Sequence, residues 1–214
     1  MASGLKTIGK TCVFIDGSSL YSTSRNLNFD VDYKKLLEYL ERETGFLVRT
    51  YYYAAIVDTE DYSPLKPLTD WLSYNGYTLV TKTAREFTDA TGKRRVKGNM
   101  DIEIAIDMME MAPHVDNMII FTGDSDFRRA VEAVQRQGVS VTAVSSRETS
   151  PPLIGDDLRR QVDHFVDLND ISKHFIRATD KRDSHPNGRY NDSSFDRSEA
   201  QVLPASRNSG PIRM

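Results

Sequence analysis

The chain has 214 residues, of which 39% are hydrophobic and 28% are charged, values that fit a folded globular protein and exclude wholesale disorder. This length accommodates one domain of roughly 150 to 180 residues together with a tail. The formal net charge of -3 excludes a uniformly basic surface, so contact with a polyanion would require a local basic patch or bound cations.

Cysteine usage and the first residues indicate the compartment. Cys12 is the only cysteine, which excludes an intramolecular disulfide or a thiolate metal cluster and favours a reducing environment. Residues 1–10 lack the apolar run of a signal peptide, and no stretch approaches the roughly 18 apolar residues of a membrane span. We therefore expect a cytoplasmic protein with no membrane contact.

Short apolar runs alternate with segments of helical periodicity along the chain. Runs rich in β-branched residues predict five strands, at 11–16, 46–57, 77–83, 116–123 and 139–145. Helices are predicted between them, over 32–43, 63–76, 99–111 and 124–138. This alternation predicts an α/β fold in which helices flank a central, mostly parallel, five-stranded sheet. The common strand order 3-2-1-4-5 would place the first and fourth strands side by side.

Three segments depart from this alternation. Residues 84–98 carry the turn-like sequence DATGK between polar runs and predict a short hairpin or a flexible loop. One or two closing helices are expected after Gly155, and from Arg177 onward the composition is that of a disordered tail. The predicted organisation is an N-terminal extension, one domain and a tail, at 1–9, 10–176 and 177–214.

Acidic residues follow two of the predicted strands. Asp16 comes directly after the first strand, in FIDGSSLY, and Asp124 and Asp126 follow the fourth, in TGDSDF. Ligands of open α/β sheets bind at the carboxyl ends of strands near the reversal of strand order, so these three carboxylates are expected to converge. Each acid is also typical of a helix cap or turn, and position alone leaves that alternative open.

Helical phase separates the acids of the predicted helix over 99–111. At about 100° per residue, Asp101 falls within a broad apolar arc, whereas Glu103, Asp107 and Glu110 fall together on the opposite side, which we interpret as solvated. An unpaired carboxylate among apolar residues is costly, so Asp101 requires a partner, a proton or a metal. A capping role is the alternative. The apolar arc comprises Ile102, Ile104, Ala105, Ile106, Met108, Met109 and Met111.

Four carboxylates in one crevice would repel one another unless a divalent cation lay among them. Carboxylate ligands without Cys or His indicate Mg²⁺ or Mn²⁺ rather than zinc. Such a centre suits hydrolysis of a phosphodiester, because the metal generates hydroxide and stabilises the leaving oxygen. The predicted ligands are Asp16, Asp101, Asp124 and Asp126.

Three ordered motifs, FIDGSSLY, KGNMDIEIAID and FTGDSDF, resemble the NYN domain of the LabA-like group, a branch of the PIN-like nucleases. The resemblance covers roughly residues 10–175. It implies a PIN-like (Rossmannoid) three-layer fold, a Mg²⁺ or Mn²⁺ site, and single-stranded or structured RNA as the substrate of a ribonuclease. Its acids fall on Asp16, Asp101, Asp124 and Asp126, and Asp107 also matches a commonly acidic place.

Two further positions bear on this resemblance. The family usually has Asn two residues after the glycine of the first motif, where this chain has Ser19, whose hydroxyl has a shorter reach. Lys97, immediately before Gly98, matches the family's KG and is expected to position a phosphate or to balance the acids.

Positive charge concentrates on the segment that leads into the Asp101 helix. Such a segment could bind the phosphate backbone of RNA, and an ordinary charged hairpin is the alternative. The predicted nucleic-acid contacts are Lys82, Arg85, Lys93, Arg94 and Arg95.

Two other functions compete with RNA cleavage. One is a regulatory module, derived from a nuclease, that binds RNA or a protein partner without cutting. The other is a phosphatase or nucleotide hydrolase. A haloacid-dehalogenase-like enzyme would have a second Asp two residues after Asp16, where this chain has Ser18, and a GxxxxGK[ST] phosphate loop is absent from the sequence.

Overall fold

The computed structural model describes residues 4–57, 65–88 and 94–177, with 57, 85–88 and 94–97 described by their backbone only. Of the predicted tail, only Arg177 lies within these ranges. The predicted turn at 89–93 lies outside them. Within the described ranges, none of the helices is long and apolar enough to cross a membrane.

A single sheet with the strand order β4-β3-β2-β1-β5-β6-β7 forms the centre of the structure. Six of the strands are parallel, and β4 pairs antiparallel with β3. The strands are β1 (Lys10–Asp16), β2 (Phe46–Val57), β3 (Thr78–Thr88), β4 (Arg94–Lys97), β5 (Asn117–Phe121), β6 (Ser140–Ser145) and β7 (His164–Asp167). The predicted α/β class and the predicted order of the five main strands are confirmed, whereas the prediction of only five strands is wrong.

Seven α-helices in the described ranges cover the two faces of the sheet. They are α1 (Gly17–Asn26), α2 (Tyr33–Glu43), α3 (Lys66–Tyr74), α4 (Asp101–Met111), α5 (Arg128–Gln135), α6 (Asp156–Gln161) and α7 (Leu168–Ser172). Side chains of α1, α2, α3 and α7 share one hydrophobic cluster, and those of α4, α5 and α6 share the other. Alternate residues of β1 enter the two clusters, with Val13 and Ile15 in the first and Cys12 and Phe14 in the second. A central strand buried on both faces explains the continuous apolar run CVFI.

Two strands extend the sheet beyond the prediction. The 84–98 segment forms a hairpin in which Arg85 lies opposite Lys97 and Thr88 opposite Arg94, which confirms the first of the two alternatives. The region after Gly155 contains α6 and α7 but also β7 between them, where only helices were expected. With four residues, β7 is too short to show a period of two, and it is recognisable only from its pairing with β6.

The phase predicted for α4 is only partly correct. Ile104 and Met108 are fully buried, but Ile102, Ile106 and Met109 are 65%, 50% and 41% exposed. The helix therefore packs through a narrow stripe instead of the whole apolar arc. Burial follows the face that reaches the sheet, and the broad arc of apolar residues could not specify that face.

Candidate metal centre

The carboxyl ends of β1 and β5 lie side by side at one edge of the sheet. Ile15 pairs with Phe121, so Asp16 and the segment after Phe121 emerge next to each other. Asp124 lies three residues beyond β5, where its backbone takes an extended conformation before a single 3-10 turn, Ser125–Phe127. The parallel pairing of these two strands produces the predicted crevice.

Three acids meet at this edge. One carboxylate oxygen each from Asp101, Asp124 and Asp126 lies within 4.8 Å of the other two. Asp101 and Asp124 are half-buried, and Asp126 is exposed. Oxygens on opposite sides of a bound Mg²⁺ lie about 4.2 Å apart, and those around the larger Ca²⁺ about 5 Å, so this donor set fits a hard divalent cation.

Short local hydrogen bonds orient these carboxylates. Oδ1 of Asp124 accepts a 3.0 Å bond from the backbone N–H of Asp126, which caps the 3-10 turn. Oδ2 of Asp101, at the start of α4, accepts a 2.7 Å bond from Nδ2 of Asn99. The capping alternative is therefore correct for Asp124. Because the cap uses Oδ1, the second oxygen of Asp124 keeps its capacity to bind a cation.

Asp16 is buried and does not belong to this group of three. Its Oδ1 accepts hydrogen bonds from the backbone N–H groups of Ser18 and Ser19, at 3.0 and 3.2 Å, and from the Ser18 hydroxyl at 2.8 Å. Its Oδ2 accepts a 2.6 Å bond from the Ser19 hydroxyl. The structure thus places Asp16 as the N-cap of α1, beside the three acids and not among them.

A chain of hydrogen bonds joins Asp16 to the segment that carries Asp124. The Ser19 and Thr122 hydroxyl oxygens are 3.3 Å apart, and the backbone N–H of Asp124 donates to Oγ1 of Thr122 at 3.2 Å. Since the Ser19 hydroxyl donates to Asp16, its oxygen suits the acceptor role in the contact with Thr122. Each member thus keeps the orientation of the next.

Comparison with known proteins identifies the family. The family model of the NYN domain matches residues 10–169. The chain belongs to the NYN domain family. Over 175 residues it is 32% identical to the low amplitude and bright protein LabA of Synechococcus elongatus, a match that covers 80% of this chain and 90% of that protein. A solved structure of a protein of unknown function from Vibrio parahaemolyticus matches with a TM-score of 0.62 and 24% identity, over 79% of this chain and 97% of that chain, and supports the fold alone.

The predicted resemblance to the LabA-like NYN group is therefore confirmed, and with it the PIN-like nuclease fold. The matched range begins with β1 and ends in α7, so it contains every strand of the sheet. The acidic cluster of this NYN domain is built from two of the motifs that carry the resemblance, KGNMDIEIAID and FTGDSDF.

The other acids of α4 do not form the predicted solvated face. Oδ2 of Asp107 accepts a 2.8 Å bond from the hydroxyl of buried Tyr53, and burial together with this carboxylate raises the pKa of Tyr53. Glu103 accepts a 2.8 Å bond from Nζ of Lys82, which lowers the pKa of Glu103. Both acids thus face neighbouring strands, and only Glu110 is exposed as expected. Asp107 lies outside the three-acid group.

The predicted nucleic-acid contacts are only partly visible. Lys82 forms an ion pair with Glu103, so a carboxylate of the NYN domain already balances its charge. The side chains of the remaining predicted basic residues lie outside the described part, as does that of Lys97. Those residues are Arg85, Lys93, Arg94 and Arg95.

A loop that the sequence analysis did not single out borders the acids. Residues 146–155 return from β6 to the segment before Asp124, where the N–H of Gly155 donates to the carbonyl of Gly123 at 2.8 Å. A Cβ on Gly123 would lie 1.6 Å from the carbonyl oxygen of Leu153. Glycine is therefore required at position 123 for the loop to pack here. The sequence signal for this contact was the glycine directly before Asp124.

Proposed function

We propose that this NYN domain is a metal-dependent ribonuclease that hydrolyses phosphodiester bonds of RNA with Mg²⁺ or Mn²⁺. The observation that supports the proposal most strongly is the convergence of Asp101, Asp124 and Asp126, whose oxygens lie within 4.8 Å of one another. Three carboxylates that close would repel one another and RNA in the absence of a cation. A PIN-like nuclease family and an acidic centre point to the same class of reaction.

The chain's own residues divide the work in this proposal. Asp101, Asp124 and Asp126 hold the cation, which when bound supplies a hydroxide nucleophile and neutralises charge at the phosphate. The 3-10 turn and the start of α4 hold the carboxylates in place through the Asp126 N–H and through Asn99. A preformed ligand set lowers the cost of organising the site around the metal.

Asp16 remains a proposed fourth member of the centre. Three hydrogen bonds occupy its Oδ1, but among the residues that the structure describes Oδ2 accepts a bond from Ser19 alone. A carboxylate oxygen has two lone pairs, so Oδ2 retains one for a metal-bound water or a second cation. We propose that Ser19 and Asp107 support the centre without binding the metal directly.

RNA is the proposed partner, as a single strand or a structured substrate. The basic segment leading into α4 would contact its phosphates through Arg85, Lys93, Arg94, Arg95 and Lys97, with Lys82 available if its pair with Glu103 opens. Cys12 is free and buried, which suits a reducing compartment, and we propose the cytoplasm as the location.

A non-cleaving module that binds RNA or a regulatory protein partner is the second candidate. The observation that favours it is the role of Asp16 as the N-cap of α1, in which its carboxylate accepts four hydrogen bonds from Ser18 and Ser19. In such a module the acids would stabilise the fold, and removal of divalent cations would leave the binding of RNA or protein unchanged.

Cleavage of a labelled single-stranded RNA separates the two candidates. The wild type is incubated with Mg²⁺, with Mn²⁺ or with EDTA, beside Asp124→Asn and Asp126→Asn, which keep the shape of each side chain. Asp70→Asn, on the exposed surface of α3 in the opposite layer, is the matched control. We expect metal-dependent cleavage by the wild type and the control, and a loss on the order of 100-fold or more in the other variants. Equal RNA binding without cleavage in every sample would support the non-cleaving module.

A further inference from the structure

Two arginine side chains lie over the aromatic ring of a single residue on β7, the last strand of the sheet. The guanidinium carbon of Arg159 lies 4.5 Å from the ring centroid of Phe165, and that of Arg147 lies 5.5 Å from the same centroid. The two guanidinium groups are therefore at most about 10 Å apart, the sum of these distances. Phe165 is half-buried on β7, whereas Arg147 is exposed in the loop after β6.

Neither charge is balanced by a carboxylate in the part of the chain that the structure describes. The ion pairs there involve other basic residues, including the neighbouring Arg160, which pairs with Asp156. Glu148 contacts Asn169 instead, and Asp167 accepts from the backbone N–H groups of Arg147 and Asn169. Stacking on a ring leaves the edge of a guanidinium, with its N–H donors, free to bind an anion.

Both arginines are attached to segments that contact the acidic centre. The loop that begins with Ser146 and carries Arg147 ends at Gly155, which is bonded to Gly123 just before Asp124. Helix α6, which carries Arg159, follows Gly155 directly and packs against the 3-10 turn that contains Asp126. Phe165 on β7 pairs in register with Ala143 on β6, and β6 in turn pairs with β5. At about 4.8 Å between neighbouring strands, β7 lies roughly 10 Å across the sheet from β5, whose carboxyl end leads to Asp124.

We propose that Arg147 and Arg159, supported by the ring of Phe165, form a phosphate clamp for the single-stranded RNA that passes through the acidic centre. This inference rests on the proposed function. The clamp binds the phosphodiester backbone on the side of the centre opposite the β3–β4 hairpin. An anion between the two guanidinium groups relieves their mutual repulsion, and the fork geometry of each suits phosphate oxygens. Because it contacts no base, the clamp contributes affinity without sequence preference.

The test measures binding apart from cleavage. Fluorescence anisotropy of a labelled oligouridylate of about 20 nucleotides is recorded with the full chain in EDTA over a series of KCl concentrations. The variant Arg147→Ala/Arg159→Ala should raise Kd by about tenfold or more and flatten the log–log salt slope by about 1.4, near 0.7 for each lost contact with a single strand. Arg147→Lys/Arg159→Lys should keep the slope, and Phe165→Leu should weaken binding at unchanged slope.

Arg42 provides the matched control. Its guanidinium lies 5.2 Å from the ring centroid of Tyr39, but near the end of α2, at the edge of the sheet away from the acids, and it pairs with Glu43. Arg42→Ala should leave both Kd and slope unchanged. Unchanged binding in the double alanine variant, an equal loss in Arg42→Ala, or no binding by the wild type would overturn the clamp. If the clamp variants lose binding while the wild type cleaves nothing with Mg²⁺ or Mn²⁺, the clamp stands and the proposed hydrolysis fails.

Discussion

The Ser19 hydroxyl donates a 2.6 Å hydrogen bond to Oδ2 of Asp16, and each residue is only 5% exposed. This bond orients the carboxylate and begins the hydrogen-bonded chain through Thr122 to the backbone of Asp124. Ser19 is thus an integral part of the hydrogen-bonded structure around Asp16 and Thr122. Substitution here is expected to affect both folding and the centre.

Replacement of Ser19 by Ala should lower the free energy of unfolding by about 1–3 kcal/mol, because Oδ2 of Asp16 loses its buried donor. Ser18→Ala is the matched control, since the exposed Ser18 hydroxyl donates to the same carboxylate at 2.8 Å. Its cost should be less than about 1 kcal/mol, because water replaces the bond. Urea unfolding of both variants provides the comparison, and equal losses would show that the buried bond has no special weight.

Gly123→Ala should destabilise the protein by about 1–3 kcal/mol or displace the 146–155 loop, because the new Cβ meets the Leu153 carbonyl oxygen at 1.6 Å. Gly138→Ala separates crowding from backbone strain, since Gly138 has a φ of +90° but a Cβ added there would meet none of the described residues within 4 Å. Its cost should stay near 1 kcal/mol. Metal-dependent cleavage should fall in the first variant alone. Unaltered stability and activity in Gly123→Ala would contradict the close packing of this loop.

Cys12 should resist alkylation in the folded protein. Burial raises the pKa of its thiol to about 12, from an ordinary value of 9.0. At pH 8 the thiolate fraction is therefore about one in ten thousand when folded and about one in ten when unfolded. Iodoacetamide labelling, followed by mass spectrometry, should be slow in buffer and fast in urea. Rapid labelling of the native protein would show that β1 opens readily.

Local sequence patterns predicted much of the fold. The apolar run of β1 and the alternation of strands with helices were sufficient for the α/β class and for the order of the central strands. The pattern could not predict β7, because four residues that pair with a single neighbour leave no periodicity. It also could not orient α4, whose apolar residues cover more of its surface than the sheet can bury.

The candidate site was predictable to the extent that it depends on topology. The positions of strand ends and the phase of the predicted helix indicated Asp101, Asp124 and Asp126 as site residues, and the structure brings these three acids together. The separate environment of Asp16 depends on two serine hydroxyls whose rotamers no sequence pattern specifies. The hydrogen bond between Asp107 and Tyr53 joins residues 54 positions apart, and it could be recognised only once the packing of α4 on the sheet was known.

Calorimetric titration of the protein with Mn²⁺ tests whether Asp101, Asp124 and Asp126 form one divalent-cation site. The wild type and Asp70→Asn should bind Mn²⁺ at this site with the same affinity, and competition with Mg²⁺ should weaken it. Asp101→Asn, Asp124→Asn and Asp126→Asn should each weaken binding by about tenfold or more, because each removes a charged ligand. Absence of binding by the wild type, or binding that survives in all three variants, would show that these acids do not form a cation site.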